Sequence, residues 1–352
     1  KPEYSVQTVG ARNLLGKAGS PAYQRWHEVL MRYRNNEPPA HGAIWLTYHP
    51  HIMIEWYPHV LTVSTLTPVS PTETLNTVIR FFTIGSDLRV RAIRPLQLRD
   101  HWRQASYDKL QLVRLVQGGL DLDGDDAVDL DADRMSYLGV SLGGIMGVEL
   151  LAATDAVRTG VLVVPGGRVG SIISDSSLFG TLITLLRPRG TTEGDVDRFF
   201  PILQTVIERG DAATYGPRVL QDRMVDDSRA PNVLAGVVLD DDTVPNQANY
   251  ALMRAMRLPL VGPVLRPEPG ITGVPAPLVG NIDDGATTAG FLQFDVVRER
   301  EMIEAATHNN IGDSEVGIEA WFHFLRTADA GDAEIADPYV ATGLEHGLPA
   351  EE

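Results

Sequence analysis

The sequence predicts an α/β fold, a mostly parallel central sheet flanked by helices. Short apolar runs typical of buried strands alternate with longer segments of helical periodicity. The 352 residues are 43% hydrophobic and 22% charged, a balance typical of a globular chain. Polar residues suited to catalysis stand where three of the predicted strands end, at the edge where ligands bind in sheets of this class.

The predicted elements follow in the order that such a sheet requires. After a helical pattern over residues 20–36, two strands are predicted over residues 43–48 and 59–66, and a helix over residues 98–117. Further along we predict strands over residues 134–139, 160–165, 232–239 and 291–297, helices over 145–153 and 314–326, and a mostly helical stretch over 171–228.

Charge and composition exclude several classes of protein. The formal net charge is −16, opposite in sign to the basic footprint of a nucleic-acid-binding protein. Cysteine is absent, which excludes disulfides, thiol catalysis and thiolate metal sites. No apolar run approaches the roughly 20 residues that span a bilayer, so no integral membrane segment is expected. Because the chain opens Lys1-Pro2-Glu3, we expect a processed product whose signal segment is not in this sequence.

Ser141 stands in the run Gly139-Val140-Ser141-Leu142-Gly143, between a predicted strand and a predicted helix. A serine in so tight a turn needs flanking residues with almost no side chain, and the turn presents its hydroxyl and the Leu142 N–H to the same space. The motif in this context predicts a nucleophile, and a structural glycine turn is the alternative.

A serine hydroxyl reacts when a base takes its proton and a carboxylate orients that base. Three histidines follow Ser141 in the chain. His323 lies inside the closing helix and His346 in a polar tail, whereas His308 lies in a loop just after the last predicted strand. His308 is therefore the predicted base, with a solvated loop histidine as the alternative.

The predicted acid lies in the run Asp240-Asp241-Asp242, which closes the strand over residues 232–239. This place, at a strand's carboxyl end and between Ser141 and His308 in the chain, favours a catalytic carboxylate over a solvated acidic turn. Asp241 is the first choice, Asp242 the second and Asp240 the third.

With GVSLGG, then DDTVPN, then a late loop histidine, the chain resembles the α/β-hydrolase esterases and lipases. The stretch RDHWRQASYDKLQLVRL followed by DLDADRMSYLGVSLGGIMG is similar to large secreted bacterial lipases, including virulence-factor lipases, as are VPAPLVGN, FLQFD and LQTVIERGDAATY. The resemblance covers residues 40–326. It implies the α/β-hydrolase fold with a mainly helical cap insertion, and a secreted or cell-envelope protein.

Two positions depart from the family pattern. Relatives usually carry His-Gly after the strand that supplies the second oxyanion donor, whereas this chain reads Tyr48-His49-Pro50-His51. Proline has no N–H to donate, so the backbone N–H of His51, or of a neighbouring residue, is predicted to join that of Leu142 in the oxyanion hole. Relatives often carry histidine at Val140, and we expect Val140 and His49 to contact the substrate.

The predicted organisation is an N-terminal extension over 1–40, a hydrolase core over 41–170 and 229–330, a cap insertion over 171–228 and a tail over 331–352. Apolar cap residues are candidates for an acyl pocket, with packing inside the cap as the alternative for each: Leu178, Phe179, Leu182, Ile183, Leu185 and Leu186. Leu178 and Phe179 are the predicted substrate contacts among them.

The acidic segment from Asp121 to Asp133 resembles a calcium loop without matching one. An EF-hand requires glycine at its sixth position and glutamate at its twelfth. Counted from Asp121, these positions are Asp126 and Ala132. An irregular structural calcium site stays open as an alternative to a solvated loop.

The sequence thus predicts a serine hydrolase that cleaves a small-molecule, lipid or polymer ester. Ser141 forms the acyl-enzyme, His308 moves the proton and Asp241 orients the imidazole, a cycle that needs neither metal nor cofactor. Two alternatives stay open. One is a polyester depolymerase, amidase or peptidase on the same scaffold, and the other is a non-catalytic hydrolase-fold binding protein.

Overall fold

The computed structural model divides the chain into two compact units, Lys1–Ala92 and Ile93–Glu352. It describes residues 4–9, 43–48, 52–57, 60–70, 73–82, 95–119, 121, 127–187, 190–226, 228–299 and 302–347. The helix predicted over residues 20–36 lies outside these ranges. The predicted boundaries stand after residues 40, 170, 228 and 330, whereas the two units meet after Ala92.

None of the described helices combines the length and the apolar composition that crossing a membrane requires.

The described part of the first unit is five antiparallel strands that pair in chain order. They are β1 (Tyr4–Val9), β2 (Ala43–Tyr48), β3 (Ile52–Tyr57), β4 (Val60–Ser70) and β5 (Glu73–Phe82). The register places Ile44 opposite Trp56 and Ile54 opposite Val63. The sequence predicts β2 at these same residues and most of β4, but it misses β1, β3 and β5.

The predicted mostly parallel arrangement is wrong for this unit. Only residues 49–51, 58–59 and 71–72 separate consecutive strands from β2 to β5. A parallel pair needs a crossover of about a dozen residues or more, so connections this short force antiparallel hairpins. The sequence pattern does not mark β3 as a strand, so it does not show how short these connections are.

The second unit contains a six-stranded parallel sheet. Its strands and small ribbons are β6 (Ser136–Val140), β7 (Thr159–Val163), β8 (Asn232–Val238), β9 (Leu260–Val261), β10 (Gly273–Val274), β11 (Leu278–Val279), β12 (Ala289–Phe294), β13 (Val296–Glu299), β14 (Met302–Ala305) and β15 (Glu334–Ile335). The sheet runs in the order β10-β9-β12-β8-β7-β6, and every neighbouring pair is parallel. β11 pairs with β15, and β13 with β14, both antiparallel.

Nine α-helices are described in this unit. They are α1 (Pro95–Gln117), α2 (Leu142–Ala153), α3 (Val169–Asp175), α4 (Ser177–Leu186), α5 (Glu193–Ile207), α6 (Ala212–Leu220), α7 (Asn246–Met256), α8 (Glu315–Asp329) and α9 (Pro338–Thr342). Helices α3 to α6 occupy most of the stretch for which the sequence predicts a helical insertion.

Two hydrophobic clusters cover the two faces of the parallel sheet. Along β7, Val161 and Val163 belong to the cluster that includes Trp321 of α8, whereas Leu162 belongs to the cluster that includes Leu151 of α2. All five residues of β7 are buried, as expected for an inner strand covered on both faces. This packing brings the carboxyl ends of β6, β7 and β8 to one edge of the sheet.

Candidate active site

Ser141 lies on the turn between β6 and α2 with a strained backbone. Its φ is 55° and its ψ is −118°, a region that residues with a side chain rarely adopt. The Ser141 N–H donates to the Val163 carbonyl at 2.9 Å, and the Ile145 N–H donates to the Ser141 carbonyl at 3.0 Å. These bonds hold a turn whose geometry presents the serine hydroxyl at the carboxyl end of β6.

Close packing of α2 on β6 leaves little room for a side chain at Gly139, in the motif, and at Gly144, which follows it. A Cβ at Gly139 would lie 2.5 Å from the Gly143 backbone, and one at Gly144 would lie 3.0 Å from the Val163 carbonyl oxygen. A Cβ at Gly143 would meet only the Tyr137 hydroxyl, at 3.9 Å. The second glycine of G-x-S-x-G therefore has no steric reason in this turn, contrary to the sequence expectation.

Of the three adjacent aspartates after β8, only the middle side chain is buried. Asp240 forms a bidentate ion pair with Arg266, at 2.7 and 2.8 Å, and remains 77% exposed. The hydrogen bonds from Arg266 hold the pKa of Asp240 below its ordinary value. Asp242 is exposed as well, whereas the Asp241 side chain is 0% exposed.

Both carboxylate oxygens of Asp241 have partners. Oδ1 accepts the backbone N–H groups of Thr243 and Val244, each at 2.9 Å. Oδ2 lies 2.8 Å from Nδ1 of His308. Two backbone donors thus fix the carboxylate, and its second oxygen is aimed at the imidazole.

The imidazole of His308 connects Asp241 to Ser141. Its Nε2 lies 2.7 Å from the Ser141 Oγ, and its side chain is only 6% exposed. When Nδ1 carries the proton that bonds Asp241, Nε2 is unprotonated and can accept the serine proton. The structure therefore brings together the three side chains that the sequence singles out.

The other two histidines downstream of Ser141 have different partners. His323, on α8, lies 2.9 Å from a carboxylate oxygen of Glu334. His346 lies 3.1 Å from a carboxylate oxygen of Asp295. Both imidazoles are thus paired with carboxylates outside the acidic run after β8, and the histidine that bonds Ser141 is His308.

Of the two predicted oxyanion donors, the structure describes only Leu142. It is the first residue of α2, so its N–H has no partner within the helix. His49 and His51 lie outside the described residues, and so does the predicted second half of the oxyanion hole.

The predicted substrate contacts differ in their exposure. Val140 and Leu178 are exposed, at 40% and 63%. Phe179 is partly buried against the main hydrophobic cluster. Leu178 is the second residue of α4. The hydroxyl of Ser177, the first residue, donates to the Asp242 carbonyl at 3.1 Å. Helix α4 is thus attached by its N-terminus to the loop that supplies the acid.

The proposed calcium loop is described only in part, because residues 122–126 lie outside the described ranges. Asp131 caps a short 3₁₀ helix by accepting the Asp133 N–H at 2.9 Å. Among the described residues, no group of three or more histidine, aspartate or glutamate side chains could hold a metal ion. Calcium binding at this loop stays a prediction.

Two asparagines that no sequence motif singles out join the strand ends. Asn249 is completely buried; its Nδ2 donates to the Pro165 carbonyl at 2.7 Å, and its Oδ1 accepts from Asn246 at 2.9 Å. Asn246 in turn accepts the Asp240 N–H at 2.8 Å. The loops after β7 and β8 are therefore linked through side chains. The only sequence signal is the i, i+3 spacing of the two asparagines just after the acidic run.

Comparison with known proteins finds a different family over the N-terminal third. Residues 1–118 match the family model described as "Ring hydroxylating alpha subunit (catalytic domain)". Putrescine 2-hydroxylases from Ralstonia nicotianae and Bordetella bronchiseptica are 55% and 52% identical to this chain, each over 79 residues and 22% of the chain. The matches cover 21% and 18% of those proteins, so the chain spans about a fifth of the curated relatives it matches.

Similarity to solved structures is weak. The acetyl xylan esterase of Paenibacillus sp. R4 is 11% identical, with a TM-score of 0.41 over 88% of this chain and 95% of that one. The acylaminoacyl peptidase of Pyrococcus horikoshii is 12% identical, with a TM-score of 0.31 over 51% of this chain and 21% of that one. At these TM-scores the similarity supports no argument about fold or function.

The family match overturns the predicted family and fold. A single α/β-hydrolase esterase or lipase over residues 40–326 is wrong, because residues 1–118 match an oxygenase catalytic domain, which is a different fold. The three motifs behind that assignment, around Ser141, Asp241 and His308, all lie after residue 118. Before that point the resemblance rests on one stretch, residues 99–115, and otherwise on strand and helix patterns that many folds share.

The predicted activity and partners are corrected on the same findings. The predicted carboxylic-ester hydrolysis is overturned, because the matching family model and both curated relatives are named as hydroxylating enzymes and not as ester hydrolases. The predicted metal-free ester site also conflicts with the Rieske iron–sulfur and non-haem iron centres that a ring-hydroxylating oxygenase implies. The match spans 118 of the 352 residues, so it describes that part of the chain.

The residues present do not fit a Rieske cluster. Such a cluster is held by two cysteines and two histidines, and this chain contains no cysteine. A non-haem iron centre takes two histidines and one carboxylate, and the part of the chain that the structure describes holds no such group. We therefore derive no step through either iron centre.

Proposed function

We propose that Ser141 is a nucleophile, with His308 as its base and Asp241 as the group that orients the base. On this proposal the serine oxygen of the second unit forms a covalent bond to an electrophilic centre of the substrate, and the bond from that centre to the leaving group breaks. The observation that supports it is the continuous hydrogen-bonded series from the Ser141 hydroxyl through both ring nitrogens of His308 to the buried carboxylate of Asp241, with contacts of 2.7 and 2.8 Å.

Each residue has a defined part in the proposed step. The Ser141 Oγ attacks an electrophilic carbon or phosphorus while the His308 Nε2 accepts the hydroxyl proton. The same nitrogen then returns the proton to the leaving group. Asp241 keeps Nδ1 protonated and stabilises the imidazolium that forms. The Leu142 N–H, at the N-terminus of α2, stabilises negative charge on the attacked group.

The surroundings of the hydroxyl suggest the character of the group that binds. Val140 and Leu142 flank Ser141 in the chain, and both side chains are exposed. We propose that they, with the exposed Leu178 on α4, contact an apolar part of the substrate. Phe179 packs against the core and presents less of its side chain, and His49 lies outside the described residues.

The test uses a fluorophosphonate probe and intact-protein mass spectrometry on the full chain. In the expected reaction the Ser141 oxygen forms a bond to phosphorus, the phosphorus–fluorine bond breaks, fluoride leaves, and the hydroxyl proton passes to His308. Ser136, an exposed serine on the same strand, supplies the matched control. Ser141→Ala should abolish the adduct and Ser136→Ala should leave it unchanged. An adduct retained in Ser141→Ala, or none in the unaltered chain, would refute the proposal.

A second candidate function is oxidation by residues 1–118, supported by the match to the ring-hydroxylating family and to putrescine 2-hydroxylases. Because the chain has no cysteine, it cannot hold a Rieske cluster, so another reductant would have to supply the electrons for the oxidation. Putrescine, oxygen, ferrous iron and a chemical reductant are the components to supply. Hydroxylated product that survives Ser141→Ala would support oxidation by this part, and its absence would exclude it under these conditions.

Secretion or attachment to the cell envelope stays a prediction. It can be tested by fractionating cells that produce the protein and locating Ser141-dependent labelling.

A further inference from the structure

The loop that bears His308 is closed by a side chain that sequence analysis did not single out. The Asn310 Oδ1 accepts the Thr307 N–H at 2.7 Å, and its Nδ2 donates to the Ala305 carbonyl at 3.0 Å. Both partners precede His308 and Asn310 follows it. One amide group therefore closes the backbone around the imidazole-bearing residue from both sides.

Two backbone hydrogen bonds anchor the same loop. The Ala306 N–H donates to the Asp295 carbonyl at 2.9 Å, and the Ile311 N–H donates to the Thr307 carbonyl at 3.3 Å. Ala306 and Ile311 are both buried, so the two ends of the loop are fixed in the core. Between these ends, the Asn310 amide is the side-chain group that sets the path of the backbone.

The position of His308 leaves little tolerance for a change of that path. Its two ring nitrogens must stay within hydrogen-bond distance of Ser141 and Asp241 at once, at 2.7 and 2.8 Å. A displacement of about 1 Å in a reacting group can lower a rate by about 10²-fold. Loss of the Asn310 bonds would permit such a displacement without removing any reacting atom.

We propose that Asn310 is a positioning residue that holds the His308 imidazole in line between Ser141 and Asp241. This inference rests on the proposed reactivity of Ser141. The amide acts only through the backbone of the loop, so we expect its loss to slow the serine reaction while leaving the core of the second unit intact.

The test measures the second-order rate of fluorophosphonate labelling on the pH-independent plateau, together with the melting temperature. Asn310→Ala should lower the rate by about 10²-fold with a near-unchanged melting temperature. Asn310→Asp keeps the acceptor for Thr307 and should recover part of the lost rate. Asn309→Ala, a change at the exposed neighbour, is the matched control and should label like the unaltered chain.

A double-mutant cycle separates positioning from a general structural role. If Asn310 acts through the imidazole, adding Asn310→Ala to His308→Ala should cause no further loss of rate. An equal loss in both backgrounds, or wild-type labelling of Asn310→Ala, would overturn the inference. If the unaltered chain is not labelled at all, the proposed function itself fails, and that result is distinct from both.

Discussion

The Oδ2 of Asp241 lies 2.8 Å from the Nδ1 of His308, although 67 residues separate the two in the chain. Two backbone N–H groups donate to the other carboxylate oxygen, so these groups orient the Asp241 side chain independently of the histidine. An orienting carboxylate fixed in this way keeps the imidazole in the tautomer that can accept a proton from Ser141.

Replacement of Asp241 should therefore abolish most of the serine reactivity. Because Oδ1 accepts the Thr243 and Val244 N–H groups, an asparagine would keep its oxygen there and present its N–H₂ to Nδ1, which favours the wrong tautomer. We expect Asp241→Asn to lower the fluorophosphonate labelling rate by about 10⁴-fold.

The adjacent Asp240 supplies the control for this change. Its carboxylate is exposed and paired with Arg266, so Asp240→Asn should keep the labelling rate within about twofold, as a surface ion pair contributes little. If the two variants lost labelling rate equally, the rate would depend on the acidic loop as a whole and not on the Asp241 carboxylate.

Alanine substitutions at the two glycines of the G-x-S-x-G motif, Gly139 and Gly143, should change the free energy of unfolding in opposite directions. Gly139→Ala places a Cβ 2.5 Å from the Gly143 backbone and should lower the free energy of unfolding by about 1–3 kcal/mol. Gly143→Ala meets open space inside α2, where alanine is favoured over glycine, and should raise it by about 0.5–1 kcal/mol. Urea unfolding of both variants measures the difference, and destabilisation by Gly143→Ala would contradict the described packing.

Tyr137 should make the stability of the fold depend on alkaline pH. Its hydroxyl donates to the Gly143 carbonyl at 2.6 Å, and burial raises its pKa from 10.0 to about 12. A raised pKa means that the fold favours the neutral form. This stabilisation is complete below pH 10 and is lost as the pH rises through about 12.

Tyr137→Phe removes both the hydrogen bond and the titration. We expect a loss of about 0.5–1.5 kcal/mol in the free energy of unfolding at neutral pH. The drop in stability of the unaltered protein between pH 10 and pH 12 should be smaller in the variant. Parallel pH profiles for the two proteins would refute the role given to this hydroxyl.

The buried Asn249 should contribute to the link between the strand ends. Asn249→Ala leaves the Pro165 carbonyl and the Asn246 amide without their partner, and a buried polar group left unsatisfied costs about 1–3 kcal/mol. Gln247→Ala, at an exposed position on the same helix, should change stability by less than about 0.5 kcal/mol. Thermal melts of the two variants test this, and equal melting temperatures would count against the link.

Much of the site could be predicted because its signals are local. A strand, a glycine turn and a helix define Ser141 within a few residues, and loop positions after strands single out His308 and the acidic run. The arrangement in the first unit could not be predicted in this way. Strand patterns alone do not distinguish parallel from antiparallel pairing, and the missed β3 removed the short connections that decide it. No short motif marked residues 1–118 as similar to an oxygenase.

The amino-acid sequence by itself determined which residue types stand at the strand ends, and that no cysteine is available for a disulfide or an iron–sulfur cluster. Only the tertiary structure decided which of three adjacent aspartates turns inward, because the direction of a side chain depends on its backbone dihedral angles and on donors from the following turn. It likewise decided that Asn310 and Asn249 join segments around the site. Hydrogen bonds between such segments depend on packing that no local pattern records.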